Sequence, residues 1–138
     1  MSTTDKNTAV FVIGAGRSGT STITRALMAL GVELGDHFKK ASKKNPKGFF
    51  EDADLLAISK SARRVLGLRA DSVRLVEADA FHDPKLKPLQ DQAIKVIERR
   101  FSNSPIWGFK YGRTLRILPF WDRILEATDT RPAFVVAL

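Results

Sequence analysis

An apolar run that passes directly into a glycine-rich stretch constrains this chain more than any other feature. Residues 9–13 read AVFVI, and residues 14–21 continue as GAGRSGTS. Continuous β-branched runs that end at glycine are typical of buried strands in parallel sheets. From Thr20 the apolar residues recur at helical spacing, and Gly31 stands where a glycine commonly ends a helix. The sequence therefore predicts a strand, a glycine loop and a helix, in that order.

The rest of the chain continues this alternation of strands and helices. Asp52 or Asp54 can cap the next predicted helix, and Asp83 followed by Pro84 can open another. The polar residues 32–50 predict a surface loop. The remaining predicted elements are, in chain order, a helix over 55–66, a short strand over 72–76, a helix over 83–101, a strand over 106–110, a short helix from Pro119 and a strand over 133–138. Such alternation predicts an α/β fold, a parallel sheet flanked by helices.

Length and composition are those of one globular domain. The 138 residues suit a single domain, 1–138, and 43% of them are hydrophobic, which is enough for a packed core. The chain has no cysteine, which excludes disulfides, thiolate metal ligands and cysteine nucleophiles and favours a cytoplasmic location. No apolar stretch is long enough to span a membrane, and the N-terminal residues lack the pattern of a signal peptide.

The positive charge is concentrated in one segment. The net charge is +8, and residues 37–48 carry five lysines and no acidic residue. The remainder of the chain is close to balanced, so the excess belongs to a local feature that favours an anionic partner. Aromatic residues are little interleaved with these lysines, so nucleic acid is not the expected partner, although a basic nucleic-acid-binding module stays the non-enzyme alternative.

The glycine loop has the sequence context of a phosphate-binding loop. Its glycines let successive backbone N–H groups converge on an anion, and the N-terminus of the following helix adds about half a positive charge. Nucleoside-triphosphate enzymes carry a lysine where this chain has Thr20, and dinucleotide-binding folds need an acidic residue at a strand end where this chain has Asp36 in loop sequence. A glycine turn without a ligand and a magnesium-dependent P-loop kinase remain the alternatives.

Three stretches together resemble the PAPS-dependent sulfotransferases, in particular their bacterial branch. Residues 17–21, RSGTS, are similar to the loop that binds the 5′-phosphosulfate of 3′-phosphoadenosine 5′-phosphosulfate (PAPS) in that family. Residues 45–51, NPKGFFE, and 107–110, WGFK, with Arg113-Thr114, are similar to further stretches, so the resemblance runs from about Val10 to the last residue. Tyr111-Gly112 departs from the Asp-Pro that these relatives commonly carry before the arginine.

The resemblance implies a P-loop-type α/β fold and the transfer of a sulfuryl group from PAPS to a hydroxyl or amine acceptor, without a metal. It places Arg17 beside the sulfuryl group as a catalytic residue. Glu51 and His37 are the candidates for the general base that the acceptor needs, and Glu51 is the catalytic choice. The residues implied to bind the nucleotide are Gly16, Arg17, Ser18, Gly19, Thr20, Ser21, Thr22 and Arg113.

The resemblance also predicts an incomplete site. In the sulfotransferases, residues beyond the strand that corresponds to 133–138 hold the 3′-phosphate of the nucleotide. We therefore expect a truncated or degenerate relative that binds the nucleotide weakly and turns over no acceptor alone. The apolar terminal strand would then lack a cover, which favours self-association.

Overall fold

The computed structural model describes residues 6–14, 19–35, 52–69, 72–111 and 113–138. Its helices and strands are, in chain order, β1 (Asn7–Gly14), α1 (Thr20–Ala29), α2 (Ala53–Val65), α3 (Lys87–Phe101), β2 (Ile106–Lys110), α4 (Leu118–Ala127) and β3 (Thr130–Ala137). Short 3-10 turns cover Ala78–His82, Pro84–Leu86 and Thr114–Ile117. The predicted α/β class is confirmed. The predicted loop over 32–50 lies outside the described residues from 36 onward.

The three strands form one parallel sheet with β1 in the centre. The strand order is β2-β1-β3, with Thr8 opposite Ile106 on one side and Asn7 opposite Thr130 on the other. Glu33 forms an isolated parallel bridge to Trp107 on the outer edge of β2. The predicted parallel sheet with flanking helices is therefore present.

One face of the sheet carries the main hydrophobic core. Ala9, Phe11 and Ile13 of β1 pack into a buried cluster with residues of α2, α3 and α4. Trp121 of α4 contacts both Phe11 and Phe109, with ring centroids 5.9 and 5.3 Å apart. These aromatic contacts fix α4 against the centre of the sheet.

The opposite face is covered by α1 and by the residues that follow it. Val10 and Val12 of β1 are buried but lie outside the main core, and α1 contacts both β1 and β2. Gly108 faces the side chains of Val32 and Leu34 on this side. Helices on both faces are the usual cover of a parallel sheet.

The N-terminus of α2 is built around a buried carboxylate. Asp52, rather than Asp54, is the N-cap, and its side chain accepts the N–H groups of Asp54 and Leu55 at 3.0 and 2.9 Å. Arg100 of α3 forms ion pairs with both Asp52 and Asp54. Through these ion pairs the N-cap residue Asp52 also links α2 to α3.

The third long helix begins later in the structure than predicted. Asp83 accepts the N–H of Lys85 and starts a 3-10 turn, and α3 begins only at Lys87. Pro88 has no N–H, so it cannot form the helical hydrogen bond to the carbonyl of Pro84 that an earlier start would need.

The predicted strand over 72–76 is wrong. Arg116 instead donates to the backbone carbonyls of Ser72 and Arg74 and holds this segment in an irregular conformation.

The third strand begins three residues before its predicted start and contains Pro132. The N–H of Thr8 donates to the carbonyl oxygen of Pro105, on the β2 side of β1. The next residue, Ala9, therefore directs its N–H and C=O groups to the other side, towards β3. Pro132 lies opposite Ala9 and therefore directs its nitrogen away from β1, to the edge at which no other described strand pairs. A proline is tolerated in a strand at such an edge position because no ladder bond is lost there.

Candidate anion-binding site at the carboxyl edge of the sheet

The carboxyl ends of β1 and β2 lie at the same edge of the sheet because the two strands are parallel. The chain leaves β1 for α1 on one face, and after β2 it continues to α4 on the other. Ligands of open α/β sheets bind outside the carboxyl ends of strands whose connections diverge in this way. The residues around Gly14 and Lys110 thus lie at the position where such ligands bind.

The first turn of α1 presents backbone N–H donors at this edge. Gly19 precedes the helix with a φ of +88°, a left-handed conformation that favours glycine, and no side chain among the described residues caps the helix. The first N–H groups of an α-helix have no acceptor within the helix. Together with the positive end of the helix dipole they form a site that favours an anion.

A buried lysine meets this turn from the neighbouring strand. Lys110 is the last residue of β2, has only 6% of its surface exposed, and donates from Nζ to Ser21 Oγ at 3.2 Å. Its positive charge adds to that of the helix terminus. Two positive groups at one place are most stable when an anion lies between or beside them.

The structure brings together part of the predicted nucleotide site. Gly19, Thr20, Ser21 and Thr22 lie at the start of α1, with Thr20 buried and Ser21 in contact with Lys110. Arg113 is exposed and follows β2 by three residues, and within the described part of the chain no hydrogen bond or ion pair joins it to α1. The predicted site residues that lie outside the described residues are Gly16, Arg17, Ser18, His37 and Glu51.

The sequence predicts no binding role for Lys110, which ends the WGFK stretch. Its position supplied a signal, because a lysine that ends an apolar strand lies at the carboxyl edge of a parallel sheet, where binding residues collect. The sequence of the strand does not indicate, however, that Lys110 contacts the first turn of α1.

The described residues offer no group of three or more histidine, cysteine, aspartate or glutamate side chains that could hold a metal ion. Of the helices that the structure describes, none has the length and apolar character needed to cross a membrane. No family model matches the chain, and neither a curated protein nor a solved structure is significantly similar to it.

Proposed function

We propose that this protein is a sulfotransferase-like transferase that moves a sulfuryl group from PAPS to a hydroxyl or amine acceptor. The observation that carries the proposal is the contact between the buried Lys110 and Ser21 in the first turn of α1. This geometry supports a site for a phosphate or sulfate group. The choice of PAPS rests on the resemblance of the RSGTS, NPKGFFE and WGFK stretches to the sulfotransferases.

The residues at the carboxyl edge of the sheet suit sulfuryl transfer. In sulfuryl transfer, negative charge builds on the oxygen that bridges to the leaving nucleotide, and donors fixed there beforehand lower the barrier. The N–H groups and hydroxyls of residues 19–22 and the ammonium group of Lys110 would hold the 5′-phosphate. Arg17 would face the sulfuryl group, and Glu51 or His37 would take the proton of the acceptor. A chain without cysteine also suits a cytoplasmic enzyme.

A P-loop kinase is the second candidate, because the same strand, loop and helix bind nucleoside triphosphates. Its usual lysine is replaced by Thr20, but Lys110 supplies a positive charge at the same helix terminus. A kinase would bind its nucleotide together with magnesium. The two candidates therefore differ in the metal dependence of nucleotide binding.

Calorimetry with adenosine 3′,5′-bisphosphate, with and without magnesium, tests the proposal without knowledge of the acceptor. We expect binding that does not depend on magnesium, and an affinity at least about tenfold lower in Lys110→Met, since a lost charged hydrogen bond is worth about 1.5–3 kcal/mol. Lys95→Met, which changes an exposed lysine of α3, is the matched control. Binding of ATP that requires magnesium, with no binding of the bisphosphate, would assign the chain to the kinases instead.

A further inference from the structure

Arg63 is a buried cation that has no carboxylate partner within the part of the chain that the structure describes. It lies near the end of α2 with 6% of its surface exposed. Nη1 donates to the hydroxyl of Tyr111 at 3.2 Å and Nη2 to the backbone carbonyl of Arg69 at 2.8 Å, while Nε has no partner. Burial of an arginine without an anion is costly. The two hydrogen bonds to neutral groups are therefore the contacts that offset the cost of burying Arg63.

Tyr111 is fixed at two points. It directly follows β2, is buried, and packs its ring against Phe109 with centroids 6.4 Å apart. Its hydroxyl accepts the hydrogen bond from Nη1 of Arg63, and its backbone carbonyl accepts a hydrogen bond from the N–H of Thr114 at 2.9 Å. Thr114 is itself completely buried. The turn of residues 111–114 is thus anchored at both ends, whereas Arg113 between these anchors is exposed.

The anchored turn begins beside the candidate anion site, since Tyr111 is the residue after Lys110. We propose that Arg63 is a positioning residue: through the hydroxyl of Tyr111 it holds the 111–114 turn in place and so orients Arg113 towards the bound nucleotide. The last step of this inference rests on the proposed function, and the ordering of the turn does not.

Amide hydrogen exchange measured by NMR tests the ordering of the turn without any ligand. Tyr111→Phe keeps the ring and removes the hydroxyl, and Arg63→Met keeps an apolar stem of similar length. In both variants we expect the Thr114 amide to exchange about tenfold faster, the equivalent of about 1.4 kcal/mol. The exchange of the Val96 amide in α3 should not change. Arg64→Met, the same change at the exposed neighbour of Arg63, should leave both amides as they are.

Titration of the same variants with adenosine 3′,5′-bisphosphate tests the link to the site. We expect a Kd about tenfold higher in Tyr111→Phe and Arg63→Met, and an unchanged Kd in Arg64→Met. Unchanged exchange at Thr114, or an equal rise at Val96, would overturn the positioning role. Faster exchange with an unchanged Kd would overturn the link to the nucleotide. If the unaltered chain binds no bisphosphate, the proposed function fails together with this link, and the exchange data still decide whether Arg63 orders the turn.

Discussion

Gly108 lies where β2 comes closest to the residues that follow α1. A Cβ atom at this position would lie 2.8 Å from Leu34 Cδ2 and 2.9 Å from Val32 Cγ1. Valine cannot readily turn away because its β-branched side chain has few allowed rotamers. A glycine is thus required here by the space between two layers of the fold.

Gly108→Ala should lower the free energy of unfolding by about 1–3 kcal/mol, the usual cost of excess volume in a packed interior. Chemical denaturation monitored by circular dichroism measures this loss. The double variant Gly108→Ala/Val32→Ala restores the space and should recover part of the stability. Wild-type stability in the single variant would show that the segment of residues 32–34 moves aside without cost.

The residues of the candidate site could be predicted from the sequence only in part. The first turn of α1 followed from the glycine loop, because the spacing of glycines and the helical periodicity are local properties. The position of Lys110 at the carboxyl edge could be predicted, but its contact with Ser21 and the pair formed by Arg63 and Tyr111 could not. Each of these contacts joins elements that are far apart in the chain, and apolar periodicity does not specify which polar side chains meet across a sheet.

At the scale of elements, α4 contains a pair of acidic residues one turn apart. Desolvation and, to a smaller extent, the negative charge of Glu126 raise the pKa of the Asp122 carboxyl above its usual value. The folded chain therefore holds this proton more tightly than the unfolded chain. The resulting stability is fully present below about pH 3.9, the pKa of an unperturbed aspartate, and is lost as the pH rises through the higher pKa of the folded state.

Asp122→Asn should consequently raise the unfolding temperature at pH 7, where the carboxylate is charged, and the difference from the unaltered chain should disappear near pH 3. Thermal unfolding at a series of pH values measures this. Glu98→Gln removes an exposed carboxylate of α3 and serves as the control. A stabilising effect of Asp122→Asn that is equally large at pH 3 would exclude the charge as its cause.

Predicted and observed elements agree best where one helix or strand carries its own start and stop signals. The predicted end of α1 at Gly31 is confirmed by a φ of +100°, and the end of α2 before Gly67 by a φ of +69°. The predicted strand over 133–138 lacks the first three residues of β3, which include a proline, a residue that normally argues against a strand. Only the direction of its nitrogen in the assembled sheet makes Pro132 acceptable, and that direction depends on the register with β1.

For the whole molecule, β3 forms an apolar edge of the sheet. Phe134 and Val136 have 47% and 56% of their surface exposed, although Phe134 stacks on Phe11. Open strand edges with apolar side chains favour pairing with another chain. Pro132 removes one donor from this edge and so limits the part of β3 that could pair.

We expect concentration-dependent self-association of the chain through this edge. Val136→Lys should weaken it, since lysine on an edge strand disfavours pairing between sheets. Leu75→Lys introduces the same charge at an exposed apolar residue away from β3 and should have little effect. Sedimentation velocity over a range of concentrations measures both variants. Equal association of the two would place the contact elsewhere on the surface.

The position of β1 in the middle of the sheet determines when the fold can form. During synthesis, β1 leaves the ribosome before both of its partners, which begin only at residues 106 and 130. Sheets whose strands are so distant in sequence fold slowly, because a long loop must close before any ladder bond is made. Until then the apolar residues of β1 stay without their partners, and transiently exposed apolar strands of this kind make a folding chain prone to aggregation.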